Sequence, residues 1–152
     1  MASGLEAVGI AASFIELAKV GIELSRLVNQ VVEARSYIKA LIQEIKLGAS
    51  VLELLGGVFK QEAKDQICSA GAIEAANNIA TAYRKVFDEL KLAVNKYSIT
   101  NDGSTKTTFR AIATWPVREV RINALLASLE RSKSNANIML QVITLARISR
   151  AQ

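Results

Sequence analysis

Large apolar residues recur at steps of three and four, or their sum of seven, through four long runs of this chain, and that spacing leaves little room for anything but packed helices. An α-helix turns once every 3.6 residues, so such steps put side chains on one face. Ile10, Phe14, Leu17, Leu24, Val28 and Val31 form the first run and predict a helix over about Gly4 to Asn29. From Glu33 onward Ile38, Ile42, Ile45, Ala49, Leu52 and Phe59 form the second, with Glu44, Lys46 and Glu53 between them. Ile73, Ala76, Ala80, Tyr83, Phe87, Leu90, Val94 and Tyr97 form the third, and Ile122, Leu125, Leu129, Ala136, Met139, Ile143 and Ala146 the fourth. No strand-like alternation interrupts them. The fold class is therefore all-α: a bundle of four long helices with neighbours packed up and down, in one domain over residues 1–152.

The breaks follow from backbone chemistry. Gly56-Gly57 is expected to weaken or end the second helix, with Lys60 to Asp65 as a polar connection. The third helix is expected to begin between Gln66 and Ala72 and to run out at Ser98. Thr100 to Thr105 is rich in turn-forming Asn, Asp, Gly and Ser. Lys106 to Thr114 is expected as a short helix before the last long one, because Pro116 restricts Trp115 and suits a first helical turn.

Composition narrows the chemistry. The chain has no His, which removes the usual general base and the commonest metal ligand. Its lone Cys68 cannot form an internal disulfide or a thiolate cluster, and reads as a small buried apolar side chain. Adjacent carboxylates such as Asp88 and Glu89 point in different directions on a helix, which suits neither a metal clamp nor an acid and base pair. Gly56-Gly57-Val58-Phe59-Lys60 lacks the spacing of a phosphate loop and follows no strand. The expectation is a protein that is not an enzyme and uses no cofactor or metal. Aromatic residues make up only 5% of the chain, too few for a base-stacking platform, so nucleic acid is not an expected partner despite a net charge of +5.

Two regions stand out as candidate contact surfaces. In the first helix a second apolar stripe, Leu5, Val8, Ala12, Ile15 and Ile22, runs beside the first, so this helix is expected to sit centrally. Its uncharged run from Ala7 to Ile15 is nine residues, about 13 Å of helix against a hydrocarbon core of roughly 30 Å, so it does not span a bilayer as it stands. The N-terminus has no basic region ahead of its apolar stretch and carries Glu6, which argues against a signal peptide and for cytosolic synthesis. The second region is basic. Residues 104–152 carry a net +6, leaving −1 for residues 1–103. That surplus fits either a solvated helix face or a surface that meets anionic lipid headgroups.

Two stretches carry a family resemblance. Gly4-Leu5-Glu6-Ala7-Val8-Gly9-Ile10-Ala11-Ala12-Ser13-Phe14-Ile15 is similar to the start of fungal NOD-like receptor N-terminal domains of the HeLo and HeLo-like type. Phe109-Arg110, Trp115-Pro116-Val117-Arg118, Leu125-Leu126, Leu129-Glu130-Arg131, Lys133-Ser134 and Met139-Leu140 together resemble the Trp-Pro-Phe-Arg, Leu-Glu, Lys-Ser and Met-Leu succession of those domains. Val117 stands where the family often has Phe. Lys39 to Leu55 and Val86 to Leu92 follow the family's apolar pattern more loosely.

The resemblance implies a membrane-targeting cell-death effector of the fungal incompatibility type, inert at rest and activated by clustering that releases the N-terminal helix. It implies Leu5, Val8, Ile10, Phe14 and Ile15 as membrane-inserting residues, and Lys106, Arg110, Arg118, Arg121, Arg131 and Lys133 as headgroup contacts. The implied partners are anionic membrane lipid after activation, further copies of the chain, and an upstream receptor or amyloid-motif protein. The implied location is cytoplasmic at rest and the plasma membrane on activation. Such domains continue into further domains or motifs, so the chain is expected to be excised from a longer protein or to be a stand-alone relative. The alternative from another class is a non-lytic adaptor that oligomerises or recruits a partner through a bundle face.

Overall fold

Each predicted run folds as a helix in the computed structural model, which describes the backbone of residues 4–31, 36–65, 70–100 and 105–151, and side chains over 6–29, 39–62, 70–92 and 123–149. The helices are α1 (Gly4–Val31), α2 (Ser36–Asp65), α3 (Ala70–Thr100) and α4 (Thr105–Ala151). No strand is present among the described residues. The short helix expected over 106–114 is not distinguished from α4, and the side chains of Trp115 and Pro116 lie outside the described residues, as does Cys68.

The stripes meet in one core. Phe14, Ile45, Leu52, Leu55, Phe59 and Tyr83 are fully enclosed, and Phe87, Leu41 and Leu129 nearly so. The Phe14 and Phe59 rings lie 5.7 Å apart at a 42° tilt and tie α1 to α2, while Tyr83 and Phe87, one turn apart on α3, meet at 5.6 Å with a 53° tilt. Burying each such side chain contributes about 1.5–3 kcal/mol. Met139, read from the sequence as core, is only partly buried against it. Ala146, read as part of the last stripe, is exposed.

The helices form a ring rather than a cluster around a central one. α1 packs on α2 and α3, and α4 packs on α2 and α3, with no close backbone approach of α1 to α4 among the described residues. α1 is therefore a corner helix, a correction to the central position expected from its two stripes. In a four-membered ring every helix has two neighbours and one open side, so Val8, Ala12 and Ile22 of the second stripe face outward. α1 and α2 run antiparallel, since Gly21 of α1 meets Ala49 while Ala11 and Ile15 meet Gly56. α2 and α4 run parallel, since Glu44 pairs with Lys133 and Glu62 with Arg147. α2 and α3, consecutive in the chain, lie across the diagonal, which departs from the expected packing of sequence neighbours.

α2 does not stop at Gly56-Gly57 but continues through the expected connection to Asp65. The glycines serve packing instead. A Cβ on Gly56 would lie 2.6 Å from Ile15 Cγ1, so only hydrogen fits where α1 comes this close, whereas a Cβ on Gly57 would meet nothing within 4 Å. Gly48 does the same for the core's largest ring: its Cβ would stand 3.1 Å from Tyr83 Cε1.

Candidate interaction surfaces

α1 presents two different faces. Inward lie Ala7, Ile10, Ala11, Phe14 and Leu17, all nearly inaccessible to water. Outward lie Val8, Ala12 and Ile22, exposed, with Ile15 half-buried against Gly56. The residues assigned to membrane insertion are thus divided: Ile10 and Phe14 are core, Val8 is open to solvent, and Leu5 lies outside the described residues. Exposing Ile10 and Phe14 requires α1 to leave α2 and α3. No helix is long and apolar enough to cross a membrane among the described residues.

Of the assigned headgroup cations, Lys106, Arg110, Arg118 and Arg121 lie outside the described residues and Arg131 is exposed. Lys133 is turned onto α2, with its Nζ 2.6 Å from Glu44 Oε1, an ion-pair contact rather than a directional hydrogen bond. A second link lies four turns further along. Arg147 Nη2 donates to the Val58 carbonyl at 3.1 Å and to Glu62 Oε1 at 3.4 Å, and the Glu62 side chain is almost wholly buried. These two contacts fasten α4 to α2 in one register. Tyr83 sits between the two halves of the core, its hydroxyl buried without a hydrogen-bond partner. Burial, and secondarily the Glu44 carboxylate, push its pKa well above the ordinary value of about 10.

The surface that sequence reading passed over is on α4. Ile138, Val142, Leu145 and Ile148 are each more than half exposed and follow one another by four, three and three residues. Beside them Ala72, Ala75 and Ala82 of α3 and Met139 of α4 line an open groove of about 460 Å³, with Asn78 and Asn135 at its edge. The available signal was charge: Ser134 to Ala146 is thirteen residues without one charged side chain, in a chain that is 22% charged. An ordinary solvated helix face carries charges every turn. No group of acidic or sulfur ligands able to hold a metal occurs among the described residues. The chain matches no protein-family model, no curated protein and no solved structure.

Proposed function

We propose that this bundle is a membrane-directed cell-death effector of the HeLo-like type, in which clustering frees α1 from its corner and its apolar faces enter the bilayer surface. The observation that carries this reading is the double apolar character of a helix with only two neighbours: Ile10, Phe14 and Leu17 inside, Val8, Ala12 and Ile22 outside. The same side chains can be satisfied by α2 and α3 or by lipid. Withdrawing Ile10 and Phe14 alone forgoes about 3–6 kcal/mol of burial, which keeps the resting bundle closed until assembly and lipid contact offset it. Glu16, Lys19 and Glu23 keep α1 from crossing as a lone helix, so their charges pair between copies or stay at the water interface.

Dye release from anionic vesicles, measured on monomer and on artificially clustered protein, tests this. Clustered protein is expected to release dye and monomer is not. Ala12→Glu is the informative variant, since Ala12 is exposed whereas Ala11 is buried and Ser13 half-buried. It is expected to fold and cluster normally yet lose most of the release, because a carboxylate on the face that meets lipid must give up its water or take up a proton to enter. Release at the parental rate would reject the proposal. The adaptor reading then stands, and the uncharged face of α4 is the observation that favours it.

A further inference from the structure

We infer that the groove between α3 and α4, with the ridge beside it, is the docking site for the same surface of a second copy of this chain. The inference does not depend on α1 entering a membrane. Three observations lead to it, the first of them shape. The surface holds both halves of a fit: a channel lined by Ala72, Ala75 and Ala82 of α3 and by Ile138 and Val142 of α4, whose α4 wall stands exposed and runs on into Leu145 as a ridge. A two-fold axis through such a patch sets each copy's ridge into the other's channel, the requirement for an isologous contact.

Charge selects the partner. The surplus of positive charge lies in residues 104–152, but within this face α4 is uncharged from Ser134 to Ala146 and Glu74 is the one charged residue between Ala70 and Tyr83 on α3, so a second copy meets no like charge there. A strongly acidic or basic partner would find no counter-charge here, and an anionic headgroup no cation. A neutral surface bordered by Asn78, Asn135 and Gln141 instead matches itself, with amide groups able both to donate and to accept.

Area sets the class of contact. The four exposed side chains present roughly 400 Å² of apolar surface, and the groove walls bring a copy's contribution to roughly 500–600 Å². Two copies then bury roughly 1,000–1,200 Å², the low end for specific association, where contacts are weak and transient. Such a contact is open in dilute protein and closed wherever copies are gathered together.

Sedimentation equilibrium from about 5 to 500 µM tests it. The protein is expected to pass from monomer to dimer over that range. Leu145→Glu, at a side chain 65% exposed, is expected to leave the melting temperature unchanged and weaken the dimer by about 10- to 100-fold. Leu92→Glu, on an exposed residue away from the groove, is the control and is expected to leave the dimer intact. A monomer throughout the range, a dimer indifferent to Leu145→Glu, or equal loss in the control would each overturn the inference. So would binding of the monomer to neutral phosphatidylcholine vesicles through Leu145, which would assign the face to lipid.

Discussion

Tyr83 shows how little a single polar atom need contribute to this fold. Its ring fills the space left by Gly48 and meets Phe87, while its hydroxyl has lost water and gained no partner. An unsatisfied buried hydroxyl costs about 1–3 kcal/mol. Tyr83→Phe is therefore expected to raise unfolding free energy at neutral pH by up to about 1 kcal/mol after the loss of packing around the oxygen. The pH dependence has a definite sign. The folded state holds the phenol neutral above its ordinary range, while the unfolded chain releases the proton near pH 10, so stability falls as pH rises past about 10. The variant is expected to lack that part of the alkaline loss. Denaturant titrations at neutral pH and near pH 10.5 check both points, and a destabilised Tyr83→Phe protein would mean the hydroxyl is bonded after all.

At the scale of the element, α2 records a conflict between local preference and packing. Each glycine lowers helix propensity by about 1 kcal/mol relative to alanine, so propensity alone ends the helix at Gly56-Gly57. The approach of α1 explains why Gly56 stays, and Gly57 is carried along in open space. Gly57→Ala is expected to stabilise by up to about 1 kcal/mol, whereas Gly56→Ala is expected to destabilise by about 1–3 kcal/mol as Ile15 is displaced. Equal effects in thermal melts would contradict this placement of α1. Periodicity made the four helices and most of the core readable, because Phe14, Ile45, Leu52, Tyr83, Phe87 and Leu129 repeat where a helix face must. It could not reveal which helices adjoin. Two apolar stripes on α1 look the same whether a third neighbour covers the second stripe or solvent does. On α4, Met139 and Ile143 drew attention inward while Ile138 and Val142, each one position earlier, faced out.

The whole molecule couples these features through its ring order. α4 is fastened to α2 by Glu44 with Lys133 and by Glu62 with Arg147, and its backbone comes close to α2 and α3 but not to α1 among the described residues. Neither ion pair involves α1, so its departure would break neither, and the surface proposed for a second copy lies on α3 and α4 rather than on α1. Clustering and membrane contact are thus assigned to opposite sides of the same bundle. If α1 must separate from α2 for activity, a reversible tether between them blocks it. A Cβ on Gly21 would lie 3.3 Å from the Ala49 Cβ, a few tenths of an ångström inside the separation a disulfide takes, so a small outward shift of α1 admits the bond. Gly21→Cys with Ala49→Cys, in a Cys68→Ser background, joins the two helices once the reduced form is shown to fold despite nearby Phe87. Vesicle leakage by clustered protein is then measured before and after reduction. No leakage is expected while the bond is intact, with recovery when it is reduced; equal leakage in both states would mean α1 stays on α2 during activity.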